Sequence, residues 1–186
     1  GKTIGLLGFG IIGKKVSKLA KSFGSKIIAC DPFVPSSTER KYNISLVEQQ
    51  EIFETADVIT IHLPLNNETK DLLNYSSFSL MKKKPIIINS SRGSIVNERD
   101  LIRAYKENLI NGFALDVFES EPIKEIFYKK INNTMNCILT PHVAGVTNES
   151  NTRVSQFIAK KLIKFFEKQI NSISIENFLQ FISVGK

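Results

Sequence analysis

Three segments of this 186-residue chain set side chains capable of chemistry directly after apolar runs. Residues 86–93 read I-I-I-N-S-S-R-G and place Arg92 just past a run of isoleucines. A guanidinium there can hold a carboxylate through two parallel hydrogen bonds and polarise an adjacent carbonyl. Residues 114–122, A-L-D-V-F-E-S-E-P, supply Asp116 and then Glu121, and residues 139–147, L-T-P-H-V-A-G-V-T, supply His142. Histidine, carboxylate and arginine together are what hydride transfer to a 2-oxo acid requires. The histidine exchanges a proton with the substrate oxygen, the carboxylate stabilises the imidazolium, and the arginine binds the acid group. Each residue also has a plainer reading: Glu121 facing solvent, Arg92 paired only within the protein, His142 capping a strand. Their positions at successive strand ends argue against all three plain readings at once.

A second pattern lies near the start. Gly8, Gly10 and Gly13 form G-x-G-x-x-G between an apolar run and a stretch of helical spacing. The first glycine permits a tight turn, the second lets a pyrophosphate approach the backbone, and the third lets helix and strand pack closely. Free N–H groups at the helix start then face the phosphates. Asp31 ends the next apolar run, where a carboxylate accepts hydrogen bonds from the adenosine ribose and repels a 2′-phosphate. No arginine follows it closely, so NAD is favoured over NADP.

These residues need strands and helices to position them. Thr3 to Gly8 reads as a strand, and Ile11 to Phe23 as a helix whose Ile12, Val16, Leu19, Ala20 and Phe23 recur at helical spacing. Lys26 to Asp31 is a second strand, completing a βαβ unit. A short helix is expected from Ser45, with Glu48 as its capping-box partner, then strands at Asp57 to His62 and, fully buried, at Pro85 to Asn89, with Tyr75 to Met81 helical between them. Asn97 should cap a helix to about Asn108, followed by strands at Gly112 to Val117 and Cys137 to Thr140. A long amphipathic helix, about Glu149 to Lys168, closes the pattern, with Val154, Phe157, Ile158, Leu162, Phe165 and Phe166 on its buried side. The expected fold is α/β: a doubly wound Rossmann-type parallel sheet with helices on both faces.

Composition narrows the function further. At 42% hydrophobic and 23% charged the chain suits one soluble globular domain, and no apolar run approaches the roughly 18 residues of a membrane span. The net charge of +7 raises the question of a nucleic-acid partner. Lysine accounts for 20 of the 25 basic residues, alongside 25 isoleucines and 15 asparagines, which is the bias of an AT-rich coding sequence, so no nucleic acid is expected. Cys30 and Cys137 are distant and lack metal-ligand spacing, pointing to a reduced, cytoplasmic protein without a metal.

Taken jointly, G-F-G-I-I-G, the H-L-P-L of His62 to Leu65 with Thr69, N-S-S-R-G, A-L-D-V-F-E-S-E-P and T-P-H-V-A-G-V-T resemble the NAD-binding domain of the D-isomer-specific 2-hydroxyacid dehydrogenases over about residues 1–168. The resemblance implies Arg92, Glu121 and His142 as catalytic residues, with Glu121 hydrogen-bonded to His142. It implies NAD contacts from Gly8, Gly10, Ile11, Ile12, Gly13, Asp31, Leu63, Pro64, Ser90, Ser91, Arg92, Asp116, His142 and Gly145, with Asp116 against the carboxamide. It makes His62 a structural residue. Cys30 to Val34 with H-V-A-G-V-T looks most like the D-3-phosphoglycerate dehydrogenase and hydroxypyruvate reductase branch, and a homodimer paired through the nucleotide domain is expected. The chain begins at Gly1 and not at a methionine, and the family's substrate-binding domain is built from residues ahead of the nucleotide domain. Residues 1–170 are therefore expected to be the cofactor half of a larger enzyme, weakly active alone, with residues 171–186 an apolar tail returning to the other half. The alternative within the same family is an NAD(H)-sensing, corepressor-like binding protein.

Overall fold

Side chains alternate across a strand, and Thr3–Leu7 (β1) sends Leu6 to one face of a sheet and Leu7 to the other, both fully buried. The computed structural model describes residues 1–122, 131 and 136–172, the last five as backbone only. Strand β1 leads into α1 (Ile11–Ser22), and β2 (Lys26–Cys30) returns parallel to β1 with Ile4 opposite Ile27 and Leu7 opposite Cys30. A short helix α2 (Ser37–Tyr42) and a two-residue strand β3 (Ser45–Leu46) follow, then α3 (Gln49–Thr55) and β4 (Val58–Ile61). The second half runs α4 (Tyr75–Ser79), β5 (Ile86–Asn89), a 3₁₀ turn at Gly93–Ile95, α5 (Glu98–Lys106), β6 (Gly112–Leu115) and β7 (Cys137–Leu139).

Among the described residues the sheet has seven strands in the order β3-β2-β1-β4-β5-β6-β7, every neighbouring pair parallel. Chain order reverses between β1 and β4, and a crevice opens there at the carboxyl ends of the strands. Two apolar clusters sandwich the sheet. Val16, Ala20 and Tyr42 from α1 and α2 pack with Leu6, Phe9, Ile27 and Ala29 on one face. Ile52, Phe53, Phe78, Leu101 and Ala104 from α3, α4 and α5 pack with Leu7, Ile28, Ile59 and Ile87 on the other.

All six expected strands are present, and two expectations, the helix at Ser45 and the full burial of the strand before Arg92, are corrected. Helix α1 turns Gly13 and Ser17 inward, whereas Ile12, Leu19 and Phe23 are 58%, 65% and 87% exposed. Close approach to the sheet needs the small residues on that side, which displaces the larger apolar ones outward. Ser45 opens no helix. It pairs with Ile28 as the edge strand β3, while Glu48 precedes α3 in extended conformation without a side-chain cap. Strand β5 is buried on one face only: Ile87 and Asn89 are covered, but Ile86 is exposed.

The chain divides into two compact units, Gly1–Ala144 and Gly145–Lys186. In the second, Thr147 and Ser150 bond reciprocally, each backbone N–H donating to the other's hydroxyl, at the start of the helix Asn148–Ser172. Its row Val154, Phe157, Ile158, Leu162, Phe165 and Phe166, expected buried, is exposed. A lone helix has no second described element in its unit against which to bury a stripe. The remainder of the apolar tail, 173–186, lies outside the described residues. No described helix is long and apolar enough to cross a membrane.

Candidate active site

The glycine turn sits between β1 and α1, directly over the crevice. Gly8 has φ +94°, a conformation that side chains rarely adopt, and a Cβ on Gly13 would stand 2.5 Å from the Gly8 carbonyl oxygen. A Cβ on Gly10 would meet nothing of the protein, so its smallness serves whatever approaches from outside. The first intrahelical bond of α1 is Lys14 N–H to Gly10 O at 3.0 Å; no acidic residue and no side-chain cap occupies that helix start. Its leading N–H groups are thus available to an anion.

Asp31 follows β2 at the rim of the same crevice. Its carboxylate accepts the N–H of Phe9 at 2.8 Å and of Phe33 at 3.0 Å. With Gly8, Gly10, Leu63 and Pro64 it lines a cavity of ≈ 280 Å³. The residues present therefore fit a dinucleotide: an anion-accepting helix start, an unfilled approach over Gly10, and an acidic group at the ribose end.

The other residues follow the neighbouring strands β5, β6 and β7. Beyond β5, buried Asn89 accepts the Ser91 N–H and hydroxyl and donates to Arg92 O, shaping the loop that presents the exposed Arg92. An Arg92 guanidinium N–H donates to Ser91 O at 2.6 Å. Gly93 then presses on the backbone beyond β6, where a Cβ would fall 1.9 Å from Phe118 C. Glu98 and Glu119 clasp the same junction: each carboxylate accepts the other's backbone N–H, at 2.7 and 2.8 Å. The Arg92 loop and the Glu121 loop are in this way fastened together.

Glu121 accepts the Phe118 N–H at 3.1 Å, and its Oε2 lies 2.7 Å from His142 Nδ1. The His142 hydrogen bond first, and the Phe118 amide second, hold the Glu121 carboxyl below its ordinary range. The two side chains are 38% and 49% exposed, so the pair opens onto solvent. His142 itself has φ +55°, the left-handed region that non-glycine residues seldom occupy.

Asp116 explains how that conformation is held. Almost fully buried at the end of β6, it accepts the Thr140 hydroxyl at 2.6 Å and the N–H groups of Val143 and Ala144 at 2.9 and 3.0 Å. Burial, the largest single influence, pushes its carboxyl up, but these three bonds together with His142 outweigh it and leave the group below its ordinary value. Asp116, expected against a carboxamide, here grips the segment on both sides of His142. Three partners were not singled out from sequence: Thr140, Gly93 and the Glu98–Glu119 clasp. Thr140 and Gly93 stand inside the conspicuous segments; nothing local marks the clasp. Ser90 is exposed beside Ser91, and Gly145 opens the second unit. His62 is half-buried below the glycine turn. Among the described residues no cluster of metal-ligating side chains occurs.

The sequence profile described as "D-isomer specific 2-hydroxyacid dehydrogenase, NAD binding domain" matches residues 1–144. D-3-phosphoglycerate dehydrogenase from Methanocaldococcus jannaschii is 36% identical over 183 residues, covering 97% of this chain and 34% of that protein. Glyoxylate reductase from Thermococcus litoralis is 38% identical over 172 residues, covering 91% and 50%. Among solved structures, D-lactate dehydrogenase from Aquifex aeolicus complexed with NAD and lactic acid superposes with a TM-score of 0.81 at 28% identity, covering 92% of this chain and 55% of that one. The chain thus spans between about a third and a half of the length of these relatives.

Proposed function

Because this chain belongs to the D-isomer specific 2-hydroxyacid dehydrogenase family, through its NAD-binding domain, we propose that it carries the cofactor site and the acid–base apparatus of an NAD-dependent D-2-hydroxyacid dehydrogenase. The observation that carries this reading is the 2.7 Å contact between Glu121 Oε2 and His142 Nδ1 at the rim where Arg92 also stands. NAD(H), when bound, supplies or accepts the hydride at the substrate's C2.

The side chains act on the rest of the substrate. Arg92 pairs with the carboxylate of the 2-oxo acid and draws charge from its carbonyl. With Nδ1–H donated to Glu121, the other ring nitrogen of His142 is left to deliver a proton to the nascent alkoxide. In the reverse direction it takes the hydroxyl proton, and Glu121 stabilises the imidazolium formed. Asp116 and Thr140 keep His142 in place throughout. Asp31 accepts from the ribose and disfavours a 2′-phosphate.

For the substrate we favour the 3-phosphoglycerate/phosphohydroxypyruvate pair, as in serine biosynthesis. The relatives named D-3-phosphoglycerate dehydrogenase support it, although relatives named glyoxylate reductase share comparable identity. The protein works as a homodimer paired through this domain. Its two free thiols, Cys30 and Cys137, both pushed up chiefly by burial, suit the reducing cytoplasm. The test is NADH oxidation with phosphohydroxypyruvate, hydroxypyruvate, glyoxylate and pyruvate by the longest natural form of the protein and by its His142→Asn variant. Turnover of at least one acid, abolished in the variant, is expected. Turnover that survives the substitution would remove His142 from the chemistry.

A further inference from the structure

The cavity at the β1–β4 crevice would take a ligand whose pyrophosphate carries two negative charges, yet its ionised lining groups are acidic. Among the described residues around it, Asp31 and Glu68 carry negative charge, and the one side chain able to become positive is His62. His62 follows β4 directly and donates its backbone N–H to Leu7 O at 2.7 Å, which sets its main chain beside Gly8 across the crevice. Its carbonyl oxygen lies 2.8 Å from where a Cβ of Gly8 would be, and its ring Cδ2 3.8 Å from that of Gly13. The His62 backbone therefore lies against the turn at Gly8 and its imidazole at Gly13, and the residue lines the cavity together with Gly8 and Gly10.

Nε2 stands 3.2 Å from the buried Thr60 hydroxyl. A hydroxyl can donate to a bare ring nitrogen or accept from a protonated one, so gaining a proton leaves His62 with its partner. Burial alone holds the free imidazole below its ordinary value, which keeps it neutral near pH 7. The surrounding ionisable groups do not replace it. Each Asp31 oxygen accepts one amide, from Phe9 and from Phe33, and keeps a lone pair for the ribose, and the Cys30 thiol is pushed up by burial, then by Glu48 and Asp31. Lys14 of α1 stands over the Tyr42 ring, 5.6 Å from its centroid, in a separate groove.

We propose that His62 is the cationic partner of the bound dinucleotide's pyrophosphate, taking up a proton as the ligand enters, so that affinity rises as pH falls. This rests on the glycine turn being the dinucleotide site. An anion close to a neutral imidazole favours its charged form, and the same coupling makes protonation favour the anion.

ADP-ribose is the probe, because it carries adenosine and pyrophosphate without the nicotinamide ring on which His142 would act. Its Kd should be about 3- to 10-fold lower at pH 5.5 than at pH 7.5. Calorimetry in two buffers of different ionisation heat should show proton uptake. His62→Gln, which keeps a polar group for Thr60 but cannot be protonated, should bind with the same Kd at both pH values. A flat wild-type profile, or an unchanged slope in His62→Gln, overturns the proposal. If ADP-ribose fails to bind at any pH, the dinucleotide reading itself falls. Should the variant misfold, the NMR titration of His62 in the wild type decides: its midpoint rises with ADP-ribose bound, and an unmoved midpoint overturns the proposal.

Discussion

The carboxylate of Asp31 accepts the backbone N–H of Phe9 at 2.8 Å, tying the end of β2 to the residue between the first two glycines of the turn. Asp31 therefore shapes the turn beside which, in the proposed reading, it meets the ribose. Asp31→Ala should weaken NAD binding roughly 10- to 100-fold, the scale of a lost hydrogen bond to a charged group, without conferring useful NADP affinity. Asp31→Asn, which still accepts from Phe9, should lose less. Fluorescence titration with both dinucleotides checks this; unchanged NAD affinity in the alanine variant would refute the ribose assignment.

Asp116 bears on stability as well as chemistry. Asp116→Ala leaves the Thr140 hydroxyl and two amides without their acceptor and should cost about 1–3 kcal/mol in urea unfolding. Its carboxyl is lower in the folded protein than in the unfolded chain. The stabilisation is therefore complete above the unfolded value near 4 and is lost as pH falls through the folded one. The protection of Val143 and Ala144 against hydrogen exchange, relative to the intrinsic rate at each pH, should fall below about pH 4, and to a smaller extent in Asp116→Asn, which has already lost the charge.

Gly93 joins two loops by backbone contact. Gly93→Ala has no room beside Phe118 and should destabilise the protein by about 1–3 kcal/mol or more, with Arg92 displaced from the Glu121 side. Loss of turnover out of proportion to loss of NAD affinity would mark the displacement; intact turnover would show that the loops tolerate separation.

The openness of the Glu121–His142 pair sets an expectation for the 186-residue polypeptide itself. With both side chains more than a third exposed, water is not excluded from the acid–base centre. This polypeptide should bind NAD but reduce 2-oxo acids feebly or not at all. Steady-state assays across several acids check it, and brisk turnover by the polypeptide alone would contradict it.

How much of this was readable in advance depends on the range of the interactions. The glycine turn, Asp31 and the strand ends at Arg92, Asp116 and His142 are contiguous patterns, and local spacing locates them. Strand β3 is set by a partner on another strand: Ser45 finds its register on Ile28. So short an element carries no period of its own to read. Helical spacing alone does not pick out the inward face of α1, because tight packing selects the small Gly13 and Ser17 where hydrophobicity favours large residues. The role of Asp116 was invisible for a related reason, since its acceptors meet Thr140, Val143 and Ala144 only after the chain has passed through β7.

The reversal of chain order between β1 and β4 has a consequence for how such a protein can change. Gly8, Gly10 and Asp31 stand on one flank of that reversal, and Arg92, Glu121 and His142 stand on the other, three strands in succession. In the proposed reading, the pyrophosphate and ribose are therefore met at the ends of β1 and β2, and the proton transfer takes place beyond β5, β6 and β7. On that reading, drift at the ends of β1 and β2 can retune which dinucleotide is held while the proposed proton-transfer residues beyond β5, β6 and β7 stay as they were.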